Sequence, residues 1–225
     1  MRNWEKSGRA EMVGLKGIKH LQVSPLPISD VKLLVPRRHD DERGYFSETF
    51  NRHDLAAAGL SFDGVQDNQS FSIAKGTIRG LHFQLRPFAQ AKLVRASRGS
   101  IFDVAVDLRS GSASYGKHVS AVLRAEGLEQ LYIPAGFAHG YCTLEPDTEV
   151  HYKVDVHYSP EHECGIRWND PELGIEWPVT TAEVSLSAKD EKLPLLRTLE
   201  PPFAHPDTPG WARGRAQREA SGRGR

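Results

Sequence analysis

The chain is short of cysteine, of long apolar runs and of net charge, and each shortage removes a class of function. Its two cysteines, Cys142 and Cys164, stand in no metal-binding spacing and form no disulfide framework. They read as small, buried or half-buried thiols suited to a reducing compartment. No stretch approaches the roughly 20 apolar residues of a membrane-spanning helix. The opening segment, MRNWEKSGRAEMVGLKGIKH, is broken by charges and lacks the apolar core of a secretory signal. A cytoplasmic protein is expected. Lys plus Arg and Asp plus Glu both number 29, so no overall field attracts nucleic acid or an anionic membrane as partner. An anionic ligand has to be gripped locally.

What is present is the composition of an ordinary globular domain, 39% apolar and 26% charged over 225 residues, enough chain for one sizeable core. Residues 1–27 read as a polar N-terminal extension. Residues 201–225, rich in Pro, Gly and Arg, read as a disordered tail. Between them, residues 28–200 form the expected domain. Short β-type runs start at Val31 (VKLLVP), Gly44 (GYFSETF), Ser70 (SFSIA), Lys92 (KLVRA), Ser100 (SIFDVAVDL), Glu129 (EQLYIP) and Glu149 (EVHYKVDVHY), with turn residues between them. Only NRHDLAAAG, with Asn51 as N-cap and Gly59 as stop, and a stretch after about Ser185 look helical. The pattern predicts an antiparallel sandwich or barrel with a few short helices.

Alternation of side chains along a strand separates two faces. In the run from Ile101 to Leu108, Asp103 and Asp107 share one face, and Phe102, Val104, Val106 and Leu108 the other. The acids are expected to project together, away from packed hydrocarbon. In the run from Val150 to Tyr158, parity puts Tyr152 and Tyr158 inward with Val150, Val154 and Val156. An interior carrying hydroxyls and carboxylates needs partners or a ligand to satisfy them.

Two segments carry further chemistry. In GTIRGLHFQ, Arg79 and His82 lie on opposite faces of a regular strand, but Gly80 between them permits a bulge that turns both toward one cavity. In IPAGFAHGY the spacing Pro-x-Gly-x-x-His ends at His139. These segments resemble the two motifs of the cupins, in which His-x-His and a following glutamate ligate a divalent ion. Here Gln84 takes the second position and no glutamate follows before Lys92. The expectation is no metal and no other cofactor, with proton chemistry left to side chains. Histidine suits that work because its imidazole accepts and returns protons near neutral pH.

The ordered set DERGYFSETF, QDNQSFS, GTIRGLHFQ, QAKLVRA, FDVAVDLR, LYIPAGFAHGY, YK at Tyr152, WNDPELGIEWP and LSAKD resembles the dTDP-4-dehydrorhamnose 3,5-epimerases. The resemblance implies a mainly β fold, the cupin jelly roll or double-stranded β-helix. It also implies epimerisation at C3 and C5 of dTDP-4-keto-6-deoxy-D-glucose, a step toward dTDP-L-rhamnose, in a homodimer. His82 corresponds to the base, Asp190 to its partner carboxylate, Lys92 to the group that stabilises the enolate oxygen, and Tyr152 to the acid on the opposite face. Asp103 and His139 are expected to support Lys92 and the sugar, and Tyr158 to line the site. Arg79 is expected to grip the diphosphate, with Arg43, Phe46, Glu48, Gln66 and Asn68 lining the same cleft. Two other readings of the fold stand beside this one: a metal-dependent isomerase or oxygenase, and a cupin that binds a sugar nucleotide without turning it over.

Overall fold

The computed structural model of the chain describes residues 20–205. Its strands are Leu21–Pro25 (β1), Lys32–Pro36 (β2), Arg38–Asp41 (β3), Gly44–Ser47 (β4), Gln66–Ser72 (β5), Ile78–Gln84 (β6), Lys92–Arg98 (β7), Ser100–Asp107 (β8), Arg109–Ser110 (β9), His118–Arg124 (β10), Gln130–Ile133 (β11), Phe137–Thr143 (β12), Thr148–Val154 (β13), Glu163–Gly165 (β14) and Phe203–Ala204 (β15). A six-stranded sheet runs β1-β2-β11-β7-β13-β5 and a five-stranded sheet runs β10-β8-β12-β6-β14. Pairing within both is antiparallel. From β5 to β8 and again from β10 to β14 the chain alternates between the sheets, which stack as a jelly roll.

Three apolar layers hold the stack. Between the sheets lie Val31, Val94, Ile101, Ala105, Leu131 and Val150. The outer face of the five-stranded sheet, with Phe102, Val104 and Val106, is covered by Ile166, Trp168, Leu173 and Leu196 from the C-terminal part of the chain. The outer face of the six-stranded sheet, with Leu34, Leu93 and Tyr132, is covered by Leu55, Leu60 and Phe62. Leu55 is the buried residue of the one α-helix among the described residues, Arg52–Ala57 (α1). Asn51 caps α1, its side chain accepting from His53 N and Asp54 N, and Gly59 follows at φ +77°, as the sequence suggests.

Several expectations change. Every residue of β8 is buried, because the sheet is covered on both sides. Asp103 and Asp107 therefore share the face of Ile101 and Ala105 and do not project away from hydrocarbon. They also part company: Asp107 accepts hydrogen bonds from Arg109, Ser112 and Ser114. The segment after Ser185 holds only 3-10 turns at Asp190–Lys192 and Leu196–Thr198. Ser185 N donates to Gly76 O and Ser185 O accepts from Ile78 N, which keeps the start of the segment extended, and Pro194 cannot sit inside a helix. β13 ends at Val154, where the Asp155 carboxylate takes Ala91 N at 2.7 Å, so Val156 and Tyr158 leave the strand.

The ends of the domain also shift. Within the N-terminal extension, residues 21–25 form the edge strand β1. Within the C-terminal tail, Phe203 is buried and β15 pairs in parallel with β9. Residues 1–19 and 206–225 of the two tails lie outside the described residues.

Candidate active site

Between the sheets opens a cavity of about 640 Å³, the size of a small-molecule site. One wall belongs to the five-stranded sheet and carries Arg79 and His82 on β6, His139 and Tyr141 on β12, and Glu163 on β14. The facing wall belongs to the six-stranded sheet and carries Gln66 and Asn68 on β5, Lys92 on β7 and Tyr152 on β13. Residues 185–187 with Lys189 and Asp190 line the same cavity.

Gly80 makes the first wall possible. Its φ is +122°, and a Cβ there would stand 2.5 Å from Gly140 Cα and 2.7 Å from His139 O, so only glycine fits. The β6–β12 register shifts between His139 and Tyr141. Arg79 and His82 both line the cavity as a result.

His82 Nε2 lies 2.6 Å from Asp190 Oδ1. Burial works to raise the Asp190 carboxyl, but hydrogen bonds from His82, Ser187 and the Gly80 backbone, with the charge of His82, hold it below the usual carboxylate range. An ionised Asp190 keeps the imidazole proton on Nε2 and leaves Nδ1 as the proton acceptor.

Lys92, Asp103 and His139 form a buried charged group beside the dyad. Lys92 Nζ donates to the backbone oxygen of His82 at 3.3 Å. His139 Nε2 lies 3.0 Å from Asp103 Oδ2, whereas Asp103 Oδ1 has no hydrogen-bond partner among the described residues. Burial pushes the Lys92 ammonium down to about 8, against the pull of Asp103 and Glu163. Burial likewise raises Asp103, despite His139 and Lys92, and lowers His139, despite Asp103.

The two tyrosines differ. Tyr152 stands on the wall opposite His82. Burial raises its hydroxyl, which has no hydrogen-bond partner among the described residues. Tyr158 reaches the cavity from the loop after β13 and is half exposed. It donates to Glu163, and that bond is the main cause that pushes its hydroxyl up to about 12.

Arg79 is held along β5 by bonds to Phe71 O at 3.1 Å and Ser72 Oγ at 3.4 Å. Gln66 donates to Asn68 Oδ1 at 2.7 Å and accepts from Tyr158 N at 2.9 Å. Arg43, Phe46 and Glu48 do not line this cavity. Arg43 pairs with Asp41, Phe46 is 69% exposed, and Glu48 accepts from Asn51. The cause is topological: β3 and β4 pair only with each other, and the hairpin carries these residues away.

Gln84 is buried, its amide donating to Phe88 O and His157 O and accepting from Ser159 N. That side chain is committed to loop structure. Among the described residues no three His, Cys, Asp or Glu side chains converge as metal ligands. Among the cavity-lining residues that the sequence did not mark are Tyr141 and Glu163. Tyr141 bonds Ser70 on the facing wall at 2.7 Å; its only signal was the Pro-x-Gly-x-x-His segment beside it. Glu163 follows the charged stretch PEH, shows no periodicity in the sequence and gave no signal.

Comparison with known proteins identifies the family and the fold. Residues 25–198 match the sequence model of the dTDP-4-dehydrorhamnose 3,5-epimerase family. A dTDP-4-dehydrorhamnose 3,5-epimerase of Sinorhizobium fredii is 54% identical over 184 residues, covering 80% of this chain and 92% of its own length. The crystal structure of the Bacillus anthracis enzyme of that name, with TDP and PPi bound, superposes with a TM-score of 0.75 at 48% identity, over 78% of this chain and 99% of the other. A Legionella pneumophila 3,5-epimerase in complex with dTDP-4-keto-L-rhamnose gives a TM-score of 0.78 at 38% identity, over 83% and 99%.

The buried ammonium is directly measurable. Carbon NMR of the Lys92 side chain is expected to show a titration midpoint near 8, against about 10.4 for an exposed lysine. In Asp103→Asn the midpoint falls further, because the Asp103 charge is what pulls it upward. A midpoint near the exposed value would contradict the buried setting.

Proposed function

The chain belongs to the dTDP-4-dehydrorhamnose 3,5-epimerase family, and we infer that His82, Tyr152 and Lys92 carry its reaction, the epimerisation of dTDP-4-keto-6-deoxy-D-glucose at C3 and C5 to dTDP-4-keto-L-rhamnose. The observation that supports this most is the placement of a base and an acid on opposite walls of one cavity. Inversion requires removal of hydrogen from one face of a carbon and its return to the other. A single base on one face returns the proton where it was.

C3 and C5 both flank the C4 ketone, so a proton leaving either is acidified by the same carbonyl. His82 Nδ1 takes the proton, and the C–H electron pair moves through the new C=C bond to the C4 oxygen. Asp190 stabilises the imidazolium that forms. The Lys92 ammonium stabilises the enolate oxygen, an interaction strengthened by its dry surroundings. Collapse of the enolate restores the ketone as Tyr152 delivers its hydroxyl proton to the opposite face; solvent then reprotonates the tyrosine and takes the proton held by His82, which readies both groups for the second carbon. Asp103 and His139 hold the charge balance around Lys92. Tyr158 has its proton committed to Glu163 and lines the site as an acceptor and a ring. This sequence balances protons and electrons with side chains alone and calls on no metal or cofactor.

For the nucleotide, Arg79 offers a planar fork of donors suited to a diphosphate, with Gln66 and Asn68 beside it. Arg43, Phe46 and Glu48 fit a homodimer in which the β3–β4 hairpin of one subunit serves the cavity of the other. The exposure of the hairpin's rings supports this reading: Tyr45 is 52% and Phe46 69% accessible, an apolar surface suited to a partner. We place the enzyme in the cytoplasm, as a step toward dTDP-L-rhamnose; among the described residues no helix is long and apolar enough to cross a membrane.

His82→Ala is expected to lower turnover by at least about 10³-fold, the upper part of the range for a lost general base. Tyr152→Phe should lose inversion by about 10²-fold while still exchanging substrate hydrogen with solvent, which proton NMR in heavy water resolves. Unchanged turnover in the first variant, or equal loss of exchange and inversion in the second, removes these assignments. Light scattering should give twice the 25.1 kDa chain mass, and Phe46→Ala should raise KM with little change in kcat. A monomeric mass in the active enzyme contradicts the shared site.

A further inference from the structure

Beyond the dyad, the acid and the buried lysine, one carboxylate in the cavity ties the parts together. Glu163 sits on the edge strand β14, in register with Gln84, while Gly165 two residues on is in register with His82. Its Oε2 meets the Lys189 ammonium at 2.5 Å and accepts from the Tyr158 hydroxyl. Tyr158 comes from the loop after β13, whereas Lys189 directly precedes Asp190. Three separate stretches of chain thus converge on one oxygen. The Glu163 side chain is only 16% exposed, against 57% for Lys189.

We propose that Glu163 is a positioning residue that latches the Asp190-bearing segment to β14 and, with Lys189, sets the charge that His82 feels. The segment needs a latch. Asp190 lies in a single 3-10 turn, which is short and weakly held by its own backbone bonds, yet it must keep the imidazole oriented to within hydrogen-bonding tolerance. The pairing also serves electrostatics: an uncompensated ammonium beside Asp190 would compete for the carboxylate and disfavour the imidazolium. Burial works to raise the Glu163 carboxyl, but Lys189, Tyr158 and the charge of His82 keep it below its ordinary value, so it is an anion at working pH. The charged and titratable groups around His82 are Asp190 on the 3-10 turn, Glu163 on β14 with Lys189, Lys92 on β7, the Asp103–His139 pair on β8 and β12, and the hydroxyls of Tyr141 on β12, Tyr152 on β13 and Tyr158 in the loop after it; Arg79 lies on its own strand.

The latch rests on His82 being the base, and the test separates the two. The acid limb of the kcat/KM profile reports the free-enzyme base. Glu163→Gln removes a negative charge near the imidazolium, so the limb should move to lower pH by roughly half a unit. Lys189→Met removes the opposing positive charge, so the limb should move to higher pH by a similar amount. The double variant should return near the wild-type position, and Glu163→Asp, which keeps the charge, should leave the limb in place. Shifts of both single variants in one direction, or a fall in kcat with the limb unmoved, overturn the proposal and leave Glu163 a structural residue. A wild-type profile with no acid limb overturns the assignment of His82 and the latch with it.

Discussion

A 2.6 Å hydrogen bond joins His82 on β6 to Asp190, 108 residues further along the chain, and the rest of the site depends on it. It fixes which imidazole nitrogen faces the cavity. It also anchors the C-terminal segment that covers the five-stranded sheet, because the chain on either side of Asp190 packs Leu186 and Leu196 against the outer layer. A jelly roll supplies two walls, but without a carboxylate behind the ring His82 has no fixed tautomer and no partner for its positive form. Glycine at 80 is the backbone condition for the same bond, since the bulge it permits turns His82 to the cavity and brings its N–H to Asp190.

The second constraint is the cost of burying charge. Lys92, Asp103 and His139 lie within the stack with little or no water contact, where an unpaired ion costs several kcal/mol. A folded protein of ordinary stability has little to spare for this. In the proposed reaction the group stands by the enolate oxygen, and Asp103 retains an oxygen without a hydrogen-bond partner among the described residues. Stability is given up locally so that positive charge is already in place when negative charge develops.

Most of the architecture was legible in the sequence because strands and turns leave local marks. The runs at Val31, Lys92, Ser100, Glu129 and Glu149 all contain strands, and the Asn51 cap and Gly59 stop bound α1. Gly80 in the middle of GTIRGLHFQ betrayed the bulge. Long-range packing was not legible. Alternation in β8 separated polar from apolar residues without revealing that both faces were covered. Ser185 gave no sign that its backbone would pair with β6, and nothing in VHY showed that Asp155 would draw the chain off β13. Strand parity and the Gly80 bulge brought Tyr152 and His82 to notice, the resemblance added Asp190 and Lys92, and the cavity unites the four. The resemblance also named Arg43, Phe46 and Glu48, which lie on a hairpin outside the cavity of their own chain.

The central claim is that hydrogen leaves one face of the sugar to His82 and arrives on the other from Tyr152, a residue in exchange with solvent. Chelator-treated enzyme should be given dTDP-4-keto-6-deoxy-D-glucose in heavy water, and product analysed by NMR at low conversion. Deuterium is expected at both C3 and C5 in every inverted molecule. Inverted product that retains its original hydrogen at either carbon would contradict the two-walled mechanism.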